Sequence, residues 1–147
     1  MELQFHITLV PPFKLPEEFS TQDLIFSMNQ EIFSVDNKLK FNGRIENFDA
    51  FGDRTIFAKV IPNKKWNVLR DKTLDAVLKV APDCTKKDKR PFQPHLTVAN
   101  RDIPSGVSVQ ALEVMNELNL IEDFPVDNIT IFERHENKWC IAWSGEL

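Results

Sequence analysis

From residue 2 to residue 10 apolar and polar side chains alternate. Leu3, Phe5, Ile7 and Leu9 fall on one face and Gln4, His6 and Thr8 on the other, a period of two that predicts a strand. Pro11-Pro12 stops it. The period then changes. Ser20, followed three residues later by Asp23, resembles a capping box, and Leu24, Ile25, Met28, Ile32 and Phe33 mark the apolar stripe of a helix running to about residue 34. Leu39 to Phe48 and Thr55 to Ile61 read as strands of a hairpin turned through Phe51-Gly52-Asp53-Arg54, with Pro62 closing the second. A second helix is predicted from about Lys64 to Val80, with Trp66, Leu69, Thr73, Ala76, Val77 and Val80 at helical spacing. After a charged loop over 83–91, residues 92–99 read as a strand, with Pro94 expected at its start or on its free side. A third helix is predicted from Ser108 to Leu120, with Leu112, Met115 and Leu118 facing inward. Strands over 126–133 and 138–144 follow, joined by a turn at Arg134-His135-Glu136-Asn137.

The order of elements repeats: strand, helix, strand, strand, a connecting helix, then strand, helix, strand, strand. This predicts one α+β domain over residues 1–147, with lobe-forming halves at roughly 1–80 and 90–147 related by a pseudo-twofold axis. In such an arrangement equivalent strands of the two halves lie side by side.

Composition changes little in this picture. With 42% hydrophobic and 27% charged residues the chain is ordinary globular material, and a net charge of −4 confines any polyanion site to a local groove. Cys84 and Cys140 form neither a CxxC nor a Cys/His cluster, so neither a disulfide framework nor a metal site is expected, and a reducing cytosol is the simplest location. The N-terminal segment lacks the signature of a secretion signal and no apolar run approaches membrane-spanning length, so no membrane partner is expected. A monomer is expected.

The chemistry lies in a duplication. His6-Ile7-Thr8-Leu9 and His95-Leu96-Thr97-Val98 repeat His, aliphatic, Thr, aliphatic at the start of each half, and two of the chain's three histidines sit in them. In a strand the His and Thr of each copy share one face, about 6.5 to 7 Å apart along the chain. Packing about a twofold axis would set two imidazoles and two hydroxyls around one small volume. Imidazoles titrate near neutrality, so one can act as general base and the other as general acid. That pair suits attack at phosphorus, where one proton leaves the nucleophile and another reaches the leaving oxygen while donors stabilise charge on the nonbridging oxygens. Thr8 and Thr97 are the candidate donors, and the mechanism requires no metal.

Other residues are weaker candidates. Phe13 and Phe92 flank the motifs and could contact a base, Arg101 a phosphate, and the run Lys86, Lys87, Lys89, Arg90 could extend an electropositive approach. His135, in a polar turn with no Thr partner, reads as a surface residue.

Phe5-His6-Ile7-Thr8-Leu9-Val10, the segment Arg90 to Ala99, and the stretch from Phe41-Asn42-Gly43 to Phe51-Gly52-Asp53-Arg54 together resemble the two-histidine (2H) phosphoesterase superfamily, in particular its 2'-5' RNA ligase / RNA 2',3'-cyclic phosphodiesterase group. The resemblance covers nearly the whole chain. It implies a LigT-like fold of two pseudo-symmetric lobes of antiparallel sheet with outer helices and an active cleft between them. It also implies His6 and His95 as the catalytic pair, Thr8 and Thr97 as phosphate-binding hydroxyls, and no cofactor. Members often carry Arg directly after the second motif, where this chain has Asn100 and then Arg101.

The expectation is therefore a metal-independent phosphoesterase acting on a 2',3'-cyclic phosphate or 2'-5' phosphodiester, with RNA termini or small cyclic nucleotides as partners. A module that binds a nucleotide or RNA end without turnover is the alternative. A structural protein with hydrogen-bonded polar pairs is the third reading. The sequence does not distinguish acid from base, nor hydrolysis from ligation.

Overall fold

The computed structural model describes residues 5–33, 38–83, 91–101 and 103–147. Its elements are α1 (Thr21–Glu31), β1 (Phe41–Phe51), β2 (Thr55–Val60), α2 (Lys64–Val80), β3 (His95–Asn100), α3 (Ser108–Asn116), β4 (Ile121–Val126), β5 (Asn128–His135) and β6 (Lys138–Glu146). The fold is α+β, with one four-stranded sheet in the order β3-β2-β1-β4 and one two-stranded sheet, β5-β6. The pairs β1-β2, β2-β3 and β5-β6 are antiparallel. No helix among the described residues is long and apolar enough to cross a membrane. The chain divides into two compact units, one comprising the segment ending at Thr8, Asn42–Asn63 and Gln93–Pro125, the other Leu9–Phe41, Lys64–Phe92 and Val126–Leu147.

The first unit is built on the β1-β2 hairpin. Gly52, with φ +57°, supplies the left-handed residue its turn needs, and Phe51 pairs with Thr55. Three steps along β1 from Ile45 to Phe48 match two along β2 from Val60 to Ala58, so β1 carries a bulge. Asn47 lies there with φ +57°, and its N–H donates to the Leu120 carbonyl at 2.8 Å. Beside it the Asn116 side chain replaces a strand partner. Its Oδ1 accepts from the Phe48 N–H at 2.9 Å and its Nδ2 donates to the Phe48 carbonyl at 3.3 Å. Gly43 permits a close approach: a Cβ there would meet the Phe124 ring at 2.5 Å. Ile56, Ala58 and Val60 line one buried face of β2.

Three sequence expectations change in this unit. Helix α3 ends at Asn116 rather than Leu120: the bonds from the Glu117, Leu118 and Asn119 N–H groups run to the third residue back, and Asn119 turns left-handed at φ +49°. Leu112 and Met115 are half-buried, but Leu118, expected inward, lies past the helix end and is 74% exposed. Residues 121–126 form an unanticipated strand, and Pro125 is tolerated because β4 stands at the sheet's edge. Finally, Phe5–Val10 form no strand, although the alternation suggested one over 2–10. Phe5 is 76% exposed, whereas Ile7 and Leu9 are half-buried between exposed His6 and Thr8, so part of the alternation survives without a strand; residues 2–4 lie outside the described residues.

The second unit joins two helices and a hairpin. The capping box at α1 is complete: Ser20 Oγ accepts from the Asp23 N–H and the Ser20 N–H donates to the Asp23 carboxylate at 2.8 Å. Leu24, Met28 and Ile32 are buried, and Ser27 Oγ donates to the Ala76 carbonyl at 2.6 Å, tying α1 to α2. Every α2 stripe position named from the sequence is buried, with Leu74 in addition. Trp66 packs edge-on to Phe41 with ring centroids 5.0 Å apart. The β5-β6 hairpin turns on Glu136 and Asn137, at φ +48° and +65°, the two left-handed residues of a type I′ turn. His135 ends β5, exposed, with Nε2 2.9 Å from Glu133 Oε2. Glu133 also accepts from Thr21 Oγ1 at 2.6 Å, and that hydroxyl, then His135, holds its carboxyl below the usual carboxylate range.

Candidate active site

His95 opens β3, directly after Pro94, which falls where a missing N–H costs the ladder nothing. The register sets Lys59 opposite His95, Ala58 opposite Leu96 and Phe57 opposite Thr97. The next pair is Ile56 with Ala99, so Val98 is the extra residue of a bulge. The regular spacing from 95 to 97 keeps His95 and Thr97 on one face, and directly paired residues share a face, so Phe57 and Lys59 stand on it too.

Aromatic rings fix the imidazole. Phe57, only 2% exposed, stacks on Phe51 with centroids 4.2 Å apart and planes 25° from parallel. The His95 ring stands edge-on to both, 4.9 Å from Phe51 and 5.4 Å from Phe57. Its Nδ1 lies 3.0 Å from the Gln93 carbonyl oxygen. A carbonyl can only accept, so Nδ1 carries the hydrogen and Nε2 is the nitrogen that exchanges a proton. When neutral the ring offers Nε2 as a base, and when protonated it offers Nε2–H as an acid.

The first motif belongs to the same unit as the second, and His6 and Thr8 are both exposed. Arg101, also in this unit, is exposed; at φ +62° its N–H donates to the Arg54 carbonyl at 3.1 Å. Phe13 and Phe92 fall in the second unit, both half-buried, and the Phe92 ring carries the Arg70 guanidinium at 5.3 Å. The run Lys86, Lys87, Lys89, Arg90 and Cys84 lie outside the described residues. No cluster of three or more His, Cys, Asp or Glu side chains suited to a metal ion occurs among the described residues.

Lys59 escaped the sequence reading. Alternation over Thr55, Phe57 and Lys59 was visible, but which residue of β3 each would meet depends on the bulge at Val98, which neither strand announces alone.

The turn before β2 is clamped to the loop after β3. Ser105 Oγ donates to Asp53 Oδ2, and the Gly106 N–H donates to Oδ1 at 2.7 Å. Those two donors, the serine first, hold the Asp53 carboxyl below its ordinary value of 3.8. A depressed carboxyl stabilises the fold above its unfolded value, and the contribution disappears as pH falls through the folded value. In an acid titration followed by NMR, the Gly106 amide resonance is therefore expected to move with a midpoint below 3.8. A midpoint at or above 3.8 would contradict the clamp.

An imidazole with a fixed free nitrogen and a hydroxyl on the same strand face can move a proton and hold an anion at adjacent points. No curated protein matches the chain. A crystal structure of TT0787 of Thermus thermophilus superposes with a TM-score of 0.62 at 19% sequence identity, covering 97% of this chain and 78% of that one, which shows the shared fold. The family model of the 2'-5' RNA ligase superfamily matches residues 2–138. With its antiparallel α+β fold and both histidine motifs inside the matched span, this chain belongs to the 2'-5' RNA ligase superfamily.

Proposed function

We propose that this protein is a metal-independent phosphoesterase that opens 2',3'-cyclic phosphates or cleaves 2'-5' phosphodiesters at RNA ends or on small nucleotides, acting as a cytosolic monomer. The observation that carries the reading is the His95 ring, whose Nδ1 bond to the Gln93 carbonyl leaves Nε2 for proton transfer on the face that bears Thr97. Superfamily membership and the second copy of the motif at His6 and Thr8 support it.

In this mechanism His95 Nε2 takes a proton from the attacking water as its oxygen bonds to phosphorus. The bond from phosphorus to the ribose oxygen breaks, and His6, protonated, delivers a proton to that oxygen. Each turnover leaves the histidines with exchanged protonation states, which solvent resets. Thr8 and Thr97 donate hydrogen bonds to the nonbridging oxygens, where charge grows in the transition state. Hydrolysis and its reversal as ligation pass through the same charge distribution, so the two histidines serve either direction.

The test is to incubate a 2',3'-cyclic nucleotide with the protein in EDTA, beside His6→Ala and His95→Ala. Turnover by the wild type and its loss in both variants are expected. Turnover surviving both substitutions, or abolished by EDTA alone, would sink the mechanism. Tight binding without product would favour the binding-module reading instead.

A further inference from the structure

We propose that Lys59 is the cationic contact for the substrate's phosphate, an inference that rests on the catalytic reading of the His95 face. Neither motif contains Lys59; the juxtaposition comes from strand register. Lys59 pairs directly with His95, and such pairs place their Cβ atoms about 4.5 to 5.5 Å apart on one face. Thr97 is two residues further along the same face, opposite Phe57.

Burial then separates the members of the β2 row. Phe57 is covered by Phe51 and His95, whereas Lys59 is exposed and its ammonium rides on a flexible four-carbon stem. That stem lets the charge reach over the volume between the imidazole and the threonine hydroxyl. Lys59 is in no ion pair among the described residues, in contrast to Arg44, Arg70 and Lys79. On β1 the register sets Lys59 across from the Glu46–Asn47 bulge, and the Glu46 carboxylate is paired with the Arg44 guanidinium at 2.9 Å; Asp49 stands across from Phe57, and its Oδ1 accepts from the Ala50 N–H at 2.8 Å.

Charge supplies the chemical need. A phosphodiester carries one negative charge and its pentacoordinate transition state gathers more on the nonbridging oxygens, while the protein's formal charge of −4 repels such a ligand at long range. Threonine hydroxyls donate hydrogen bonds but bring no charge. A lysine across the strand from the general base supplies it without being a proton-transfer group itself.

The experiment compares wild type with Lys59→Met, which keeps the stem and removes the charge, and with Lys59→Arg. Two probes are used: turnover of 2',3'-cyclic AMP, and binding of inorganic phosphate followed by NMR. Losing a charge-assisted contact made in both ground and transition states should raise KM roughly 10- to 100-fold in Lys59→Met, change kcat less than about threefold, and weaken phosphate binding in parallel. Lys59→Arg should stay within about threefold of wild type, because the charge remains. Unchanged KM and phosphate affinity in Lys59→Met, or a loss confined to kcat, would overturn the assignment. If the wild type turns over no cyclic nucleotide yet Lys59→Met weakens phosphate binding, the catalytic reading fails and the Lys59 assignment stands. If the wild type neither binds phosphate nor turns over, both fall.

Discussion

Replacing His95 with alanine is expected to lower kcat/KM for a 2',3'-cyclic nucleotide by about 10²- to 10⁴-fold, the usual contribution of a positioned general acid or base. Stability should change little, because the ring is half-buried at the sheet edge and its hydrogen bond runs to the carbonyl of Gln93, an exposed residue. A functional loss without a structural one is thus the signature. His95→Gln sharpens the comparison: it keeps a polar side chain near the carbonyl but has no nitrogen that titrates near neutrality, so it should be as inactive as alanine. Matched thermal melts beside steady-state kinetics decide the matter. A fall in kcat/KM of less than about threefold, or one that simply follows lost stability, would remove His95 from the mechanism.

Phe57→Ala should have the largest effect on folding, costing about 3 to 5 kcal/mol, the range for emptying a buried aromatic site. Phe57 is among the largest fully buried side chains and stacks on Phe51 while supporting His95. Its loss opens a cavity between the hairpin and the imidazole, where half-exposed Phe51 has no second ring to collapse onto. Phe57→Leu should cost less, because it retains much of the apolar volume. Urea unfolding of the three proteins measures the series. Activity per folded molecule should also fall in Phe57→Ala, since the ring that orients His95 is gone. A destabilisation under about 1 kcal/mol would mean that the ring does not fill the site as described.

Helix α2 was legible because its stripe is long and regular, and α1 because Ser20 and Asp23 announce its start; both depend on local spacing alone. The β5-β6 hairpin was also readable, since Glu136-Asn137 is polar turn chemistry between two apolar runs. What escaped notice depends on partners distant in sequence. The Asn116 side chain bonds the Phe48 backbone across 68 positions, and nothing near Asn116 signals that partner. Strand β4 was hidden by Pro125, which speaks against a central strand but not an edge. Over the described residues 5–10 the alternation misled because a period of two does not supply a ladder partner.

For the site, the duplicated motif named the residues to examine, and the 95 to 97 spacing correctly put His95 and Thr97 on one face. It was silent on what fixes the His95 ring with Nδ1 against a carbonyl. The Gln93 carbonyl is only two residues away, yet its orientation follows from backbone geometry ahead of the strand rather than from residue type. Lys59 and the Phe51-Phe57 stack were equally out of reach, because cross-strand neighbours are fixed by register and the register here steps at a bulge.

The pH dependence of kcat/KM for a 2',3'-cyclic nucleotide, measured in EDTA, tests the paired-histidine mechanism most directly. One histidine must be neutral and the other protonated at once, which gives a bell-shaped profile with an acid and a basic limb. A profile that is flat, or one with a single limb, would contradict it.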